Sequence, residues 1–205
     1  MSEAARIARE AFEERWRDGD RWDIEGAALD RASHARQLEL LADRRYRRAL
    51  ELGCGGGAFA RLLAGIADDV VAVDIAPTAI ELARGAVPPN VELRLANIME
   101  LDPEAEGPWD AVVMSETIYC LGWLYPLFEL GWLAERVHGA LVPDGRFLMA
   151  NTYGRERDYL LRPWLIDTYR DLFRNVGFRL AREETLRGEK GGEEFVILLS
   201  LFERP

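Results

Sequence analysis

Ala49-Leu-Glu-Leu-Gly-Cys-Gly-Gly-Gly-Ala58 decides the fold of this 205-residue chain. Residues 49–52 have the apolar character of a buried strand, the glycines that follow break it, and Phe59–Ala64 resumes as a helix. A strand that passes through glycines into a helix lets backbone atoms approach a bound molecule closely, because a Cβ would block the path. It also presents the unpaired N–H groups of the helix start to that molecule.

Outward from this turn the same alternation repeats. Val70–Val73 reads as a second buried strand, followed by the helix Pro77–Arg84 with proline in its first turn. Val91–Leu95 alternates as a third strand and Ala111–Met114 reads as a fourth. Leu127, Leu130, Leu133, Val137 and Leu141 mark the next helix. Pro143-Asp-Gly145 is a turn signal before a fifth strand, Arg146–Ala150. Leu165, Tyr169, Leu172 and Val176 form another helical stripe, stopped at Gly177. Phe178–Thr185 and Phe195–Phe202 read as two strands joined by the polar loop 188–192. The pattern predicts an α/β fold, doubly wound, with a mostly parallel seven-stranded sheet and helices on both faces. The closing strand pair, with no helix between its members, places one antiparallel strand in that sheet. Before the first strand, Ala5, Ala8, Phe12 and Trp16 and then Ala28, Ala32, Ala35, Leu38 and Leu41 give two helical stripes around the connector 20–26. Residues 1–47 are therefore expected to form a helical cap and residues 48–205 the core of a single domain.

The 49% apolar content suffices for one sizeable core and no second large domain. Twenty-six basic residues face 36 acidic ones, a net charge of −10. Residues 1–48 are balanced, so the excess lies in 49–205. Such a surface repels phosphate backbones and anionic lipid, which argues against nucleic acid and membrane partners. Two cysteines, Cys54 and Cys120, do not form a metal-type pair, and no run approaches a membrane span. A reduced, soluble cytoplasmic protein, monomer or homodimer, is expected.

Gly53, Gly55 and Ala58 satisfy the dinucleotide pattern G-x-G-x-x-G/A, with Asp74 about 20 residues on. Alone this leaves a nicotinamide cofactor open. Glu51, two residues before the first glycine, gives Glu51-x-Gly53-x-Gly55-x-Gly57, which resembles the first motif of class I S-adenosylmethionine-dependent methyltransferases. Val73-Asp-Ile-Ala-Pro-Thr-Ala-Ile80 resembles the second motif of that family, and Leu95-Ala-Asn-Ile98 the third. Trp109-Asp-Ala-Val-Val-Met-Ser-Glu116 resembles the fourth, and residues 141–148 the stretch entering the fifth strand. The resemblance covers 48–205 and implies the Rossmann-like methyltransferase fold with S-adenosyl-L-methionine as cofactor. It implies that Glu51, Gly53, Cys54, Gly55 and Gly57 organise the loop around the amino-acid end, Asp74 holds the ribose and Ile75 lies against adenine. Asn97, where the family commonly has Asp, and Ile98 belong to the adenine side. Ser115 adds a contact after the fourth strand. Trp22, in the cap connector, is a candidate to close over the cofactor; anchoring the cap is the alternative.

Methyl transfer from a sulfonium needs positioning above all, and a base where the acceptor must lose a proton. Ser115-Glu-Thr-Ile-Tyr-Cys-Leu121 follows the fourth strand, on the side where this architecture binds ligands. With the early cap it is similar to the nodulation-protein-S-like branch of small-molecule methyltransferases, which includes N-methyltransferases of amino sugars. Glu116 is a candidate to orient or deprotonate the acceptor, with a structural role beside the cofactor as alternative. Tyr119 is a candidate pocket residue or loop packing. Tyr153 is the strongest candidate in the polar and aromatic loop 151–159, whose other reading is a solvated connection. The transfer is expected at nitrogen or oxygen of a small-molecule acceptor, an amino sugar or natural-product intermediate. A carboxylate or carbon acceptor, or a module that binds the cofactor without turnover, remains open. Tyr119 and Cys120 stand where metal-dependent relatives carry a second Glu and a His, so no metal is expected. His138 reads as a cation at a helix end, and His34 as a cap residue that faces the pocket or packs.

Overall fold

A parallel strand buried on both faces must be apolar along its length, and the chain supplies such runs where the alternation begins. The fold, a computed structural model, describes residues 2–154 and 158–205. It divides into two compact units, Met1–Leu101 and Asp102–Pro205.

The first unit opens with helices α1 (Glu3–Trp16) and α2 (Ala28–Leu41). Ser2 caps α1 by accepting from the Ala5 N–H at 3.1 Å. Strands β1 (Tyr46–Leu52), β2 (Ala67–Asp74) and β3 (Val91–Leu95) pair in parallel in the order β3-β2-β1. Glu51 lies opposite Ala72, and Asp74 opposite Leu95. Helix α3 (Ala58–Leu63) follows β1, and α4 (Pro77–Arg84) follows β2. Val70–Asp74 is buried without interruption. Cys54, Ala60, Ala72 and Ile80 form one core cluster with Val87, Val91 and Leu93 packed on it. Both acidic residues of the motifs thus stand at the carboxyl ends of strands.

Helix α4 begins after Ala76, which has no side chain to cap it. Glu13 of α1 does this work from a distance. Its Oε2 accepts from the Thr78 N–H at 3.0 Å, and its Oε1 from the Thr78 hydroxyl at 2.5 Å. The carboxylate sits at the positive end of α4 and ties α1 to it.

The second unit holds α5 (Pro103–Glu106), β4 (Trp109–Ser115), α6 (Ile118–Leu124) and α7 (Leu127–Ala140). After these come β5 (Leu141–Thr152), α8 (Pro163–Asn175), β6 (Arg179–Lys190) and β7 (Glu193–Glu203). Its strands are ordered β4-β5-β7-β6, with β4 and β5 parallel and β7 antiparallel to both neighbours. Phe147, Phe173, Phe178 and Phe202 form an aromatic core, with Phe147 and Phe173 centroids 4.4 Å apart. Trp109, fully buried, donates its indole N–H to the Pro103 carbonyl.

All seven expected strands form, and one of them is antiparallel. Three local expectations are corrected. The loop expected over 188–192 shrinks to a two-residue turn: β6 runs to Lys190 and β7 starts at Glu193, with Gly191 and Gly192 between them, both at positive φ. Pro143-Asp-Gly145 lies inside β5, where Asp144 at φ 60° accommodates the bend and Arg204 pairs with Asp144 and Gly145 through the backbone. Helices α5 and α6 were not expected at all. Of the loop 151–159, Arg155, Glu156 and Arg157 lie outside the described residues.

Replacing Glu13 with alanine removes the remote cap and is expected to cost about 1 kcal/mol, the usual worth of a capping side chain. Its pKa is lowered, first by the Thr78 hydroxyl, so the contribution is present above the unfolded carboxylate pKa and fades as pH falls through the folded one. Urea midpoints of the two proteins at neutral and acidic pH check this; equal midpoints at neutral pH would contradict it.

Candidate functional site

The glycine turn is positioned by β2. Both Gly53 N and Cys54 N donate to the Val73 carbonyl, at 2.8 and 2.9 Å. Beyond them the chain turns through Gly55, at φ 51°, a conformation that favours glycine. Asp74 closes the arrangement: its Oδ2 accepts from Gly55 N and its Oδ1 from Ala76 N, each at 2.9 Å. One carboxylate therefore joins the β1–α3 turn to the β2–α4 turn. The Ile75 N–H is a further donor to this carboxylate, and because a carboxylate offers about four lone-pair sites, acceptor capacity remains. Burial raises the pKa of Asp74, against the pull of the N–H donors.

Glu51, only 2% exposed, stands at the end of β1. Its Oε2 is buried and has no hydrogen-bond partner. Burial, with the charge of Asp74 adding, pushes its pKa up to about 8. Cys54 is buried too, and burial pushes its thiol well above the ordinary range.

Above the glycines lies Trp16 of α1. A Cβ at Gly55 would stand 2.8 Å from its Cζ2, and one at Gly56 3.6 Å from its Cζ3. The glycines thus admit an indole ring of the chain itself. Trp16 also packs with Ala76 and Ala79, with Phe12 and Ile24 beside it. Trp22 packs on Trp16 with the rings tilted, 5.1 Å between centroids, and is 37% exposed. The tryptophan in contact with the turn is therefore Trp16, and Trp22 backs it from outside. Ile75 is half-buried after β2. Asn97 uses its Oδ1 to accept from Met99 N at 3.1 Å, capping the short 3₁₀ turn Ile98–Glu100 in which Ile98 is buried. His34 rests its ring against Phe59 at 5.5 Å.

In the second unit the strand β4 ends at Ser115, whose carbonyl accepts from the Thr117 hydroxyl. Glu116 follows at φ 51°, a strained conformation for a residue with a side chain and a frequent mark of functional positions. Its N–H donates to Ala150 at 2.8 Å. Its Oε2 accepts from the Tyr119 hydroxyl at 3.0 Å and the Thr152 hydroxyl at 2.9 Å. Three elements, β4, α6 and β5, thus converge on one carboxylate. Burial, followed by the Glu116 charge, pushes the Tyr119 phenol well above its ordinary pKa, so it stays a donor. Tyr153 is separate from this cluster and donates to Asp167 of α8 at 3.3 Å.

Sequence reasoning paired Glu116 with Tyr119 and missed Thr152, which lies 36 residues away and becomes a neighbour only through β4–β5 pairing. It also missed Trp16, which it placed in a helical stripe. The expected cation at His138 is corrected: burial lowers its pKa, Arg204 adds to this, and its ring meets Phe178 edge-on at 4.9 Å. Among the described residues no three His, Cys, Asp or Glu side chains gather as a metal site. Among the described residues no helix is long and apolar enough to cross a membrane.

Residues 49–145 match the family described as a methyltransferase domain. Over 148 residues, 71% of its length, the chain is 28% identical to nodulation protein S of Rhizobium tropici, covering 58% of that protein. It is 34% identical over 113 residues to magnesium-protoporphyrin O-methyltransferase of Rhodobacter capsulatus, half of this chain and 48% of that one. The chain thus spans less than two thirds of these relatives. The crystal structure of N-methyltransferase NodS from Bradyrhizobium japonicum WM9 in complex with S-adenosyl-L-homocysteine covers 97% of this chain and 98% of its own, with a TM-score of 0.80 at 19% identity. That likeness establishes the doubly wound seven-stranded α/β fold.

Between the unfolded carboxylate range, near 4.5, and about 8, only the folded state keeps the Glu51 proton. Folding takes up a proton there, so stability falls as pH rises through that window. Glu51→Gln is expected to remove this slope and to gain over the natural protein at alkaline pH. Urea unfolding across the window measures it; parallel pH profiles for the two proteins would contradict the assignment.

Proposed function

We infer that the chain is a class I S-adenosylmethionine-dependent methyltransferase, a reading its similarities support, and that it transfers a methyl group from S-adenosyl-L-methionine to nitrogen or oxygen of a small-molecule acceptor. The observation that carries this reading is the buried Asp74 carboxylate, joined to Gly55 and Ala76, beside the unpartnered Glu51 Oε2. The residues fit the cofactor. Asp74 keeps lone pairs for a ribose diol, and Glu51 offers a buried acceptor to the cationic amino-acid end. The glycine turn supplies backbone N–H groups, with Ile75, Asn97 and Ile98 on the adenine side and Ser115 after β4. Trp16, backed by Trp22, shields the turn from water.

When bound, the cofactor supplies a methyl carbon on a sulfonium, with a neutral thioether as leaving group, so positioning provides much of the rate. The chain's own task is then to align the acceptor and remove its proton. Glu116 is assigned to this step: an ammonium or hydroxyl acceptor gives its proton to the carboxylate. Tyr119 and Thr152 fix that carboxylate as positioning residues, and Tyr153, which follows β5 and donates to Asp167 of α8, serves the acceptor side. The net charge of −10 favours a cationic or neutral acceptor over a carboxylate one. The N-methyltransferase NodS and the O-methyltransferase relative support nitrogen or oxygen, and an amino sugar or natural-product intermediate is the acceptor class to test first.

Incubation with the cofactor and panels of amino sugars, amines and phenols, followed by mass spectrometry, is expected to find an acceptor gaining one methylene unit. Glu116→Gln should then lower kcat on the order of 10²-fold with little change in cofactor affinity. A metal chelator should leave the rate unchanged; loss restored by magnesium would overturn the metal-free reading. Intact cofactor binding without turnover on any panel would favour a binding module instead.

A further inference from the structure

Helix α7 is apolar on two sides. Leu130, Leu133, Ala134, Val137 and Ala140 are buried inward. Outward stand Leu127 (50% exposed), Phe128 (86%) and Trp132 (57%), with Trp123 at the end of α6 (48%). Positions 127, 128, 131 and 132 follow helical spacing, so they form one continuous stripe. A helix apolar on both sides fits where both sides are covered. With aromatic side chains contributing about 150–250 Å² each when bare, the stripe leaves on the order of 400–500 Å² of apolar surface. That is the apolar centre of an interface taking about 800 Å² from each partner.

Two observations select a second copy as the occupant. On the stripe Phe128 projects, and one turn on, Gly131 leaves open space, with nothing within 4 Å of where its Cβ would stand. A twofold axis sets each Phe128 over the other copy's Gly131, as an isologous interface requires. Charge gives the second reason. Two chains of net charge −10 repel unless they meet through an uncharged face, and from Leu127 to Trp132 the only ionisable side chain is Glu129. Helices that lie on membranes carry several Lys or Arg on their polar side; α7 has a single Arg136, whose guanidinium lies over the Trp132 ring at 4.9 Å.

We propose that the outer face of α7 is a twofold homodimer interface in which Phe128 of each copy seats over the partner's Gly131. This is independent of the reaction assigned above, because none of these residues belongs to the Asp74 or Glu116 clusters.

Sedimentation velocity of the full chain over a concentration series tests it, with Phe128→Asp and Gly131→Glu as variants. Glutamate at 131 enters open space and is a better helix former than glycine, so that variant folds; far-ultraviolet circular dichroism and the thermal midpoint confirm it. The expected result is a species of twice the chain mass, with self-association weakened by about 100-fold or more in both variants. Three results would overturn the proposal: a monomer at every concentration, a dimer untouched by Gly131→Glu, or a monomer that floats with neutral phosphatidylcholine vesicles through Phe128.

Discussion

The buried carboxylate of Asp74 is the constraint on which the rest of the first unit depends. Its two oxygens take N–H groups from two different turns, at Gly55 and at Ala76. Without it the glycine turn would lose the bond at Gly55 N and the α4 turn the bond at Ala76 N. The cost is an anion in a dry site, expressed in the raised pKa of both Asp74 and its neighbour Glu51. Buried charge of this kind is tolerated where it serves a ligand, because the alternative of apolar packing is more stable. The same tension therefore links the fold to the cofactor chemistry proposed for it.

Two further devices hold polar groups in place at a distance in sequence. Glu13 reaches Thr78 across 65 residues and caps a helix that cannot cap itself. Thr152 reaches Glu116 across 36 residues and shares the carboxylate with Tyr119. In each case a hydroxyl and a carboxylate meet because two elements pack, and neither pair has a local signature. Trp16 belongs to the same class. Its partner is a glycine, which offers no side chain to announce the contact.

The sheet was legible because β2 and β4 carry unbroken apolar runs and β3 alternates apolar with polar side chains. Helix α4 was legible to the residue since Pro77 fixes its start. The acidic pair Glu51 and Asp74 could be placed at strand ends from spacing alone. Helix α6 was not legible: Ile118–Leu124 is largely apolar, and Thr117 makes no side-chain cap, so there is no stripe to see. The far end of the β6–β7 hairpin was mistaken for a loop because β6 is an edge strand with mostly polar side chains, and polarity without an apolar alternation resembles a turn. Trp22 drew notice for its place in a connector, and the ring that meets the turn is Trp16, at the end of the preceding helix.

After β4 and β5 this chain holds a strained glutamate bonded by two hydroxyls, and Tyr153, which donates to Asp167 of α8. The central claim nonetheless rests on Asp74 and the glycine turn. Isothermal titration with S-adenosylhomocysteine, with NAD as control and Asp74→Ala as second protein, tests it most directly. The account predicts saturable binding of S-adenosylhomocysteine, none of NAD, and loss of binding in a variant shown by circular dichroism to be folded. Folded natural protein that gives no heat with S-adenosylhomocysteine, or that binds NAD in its place, would contradict it.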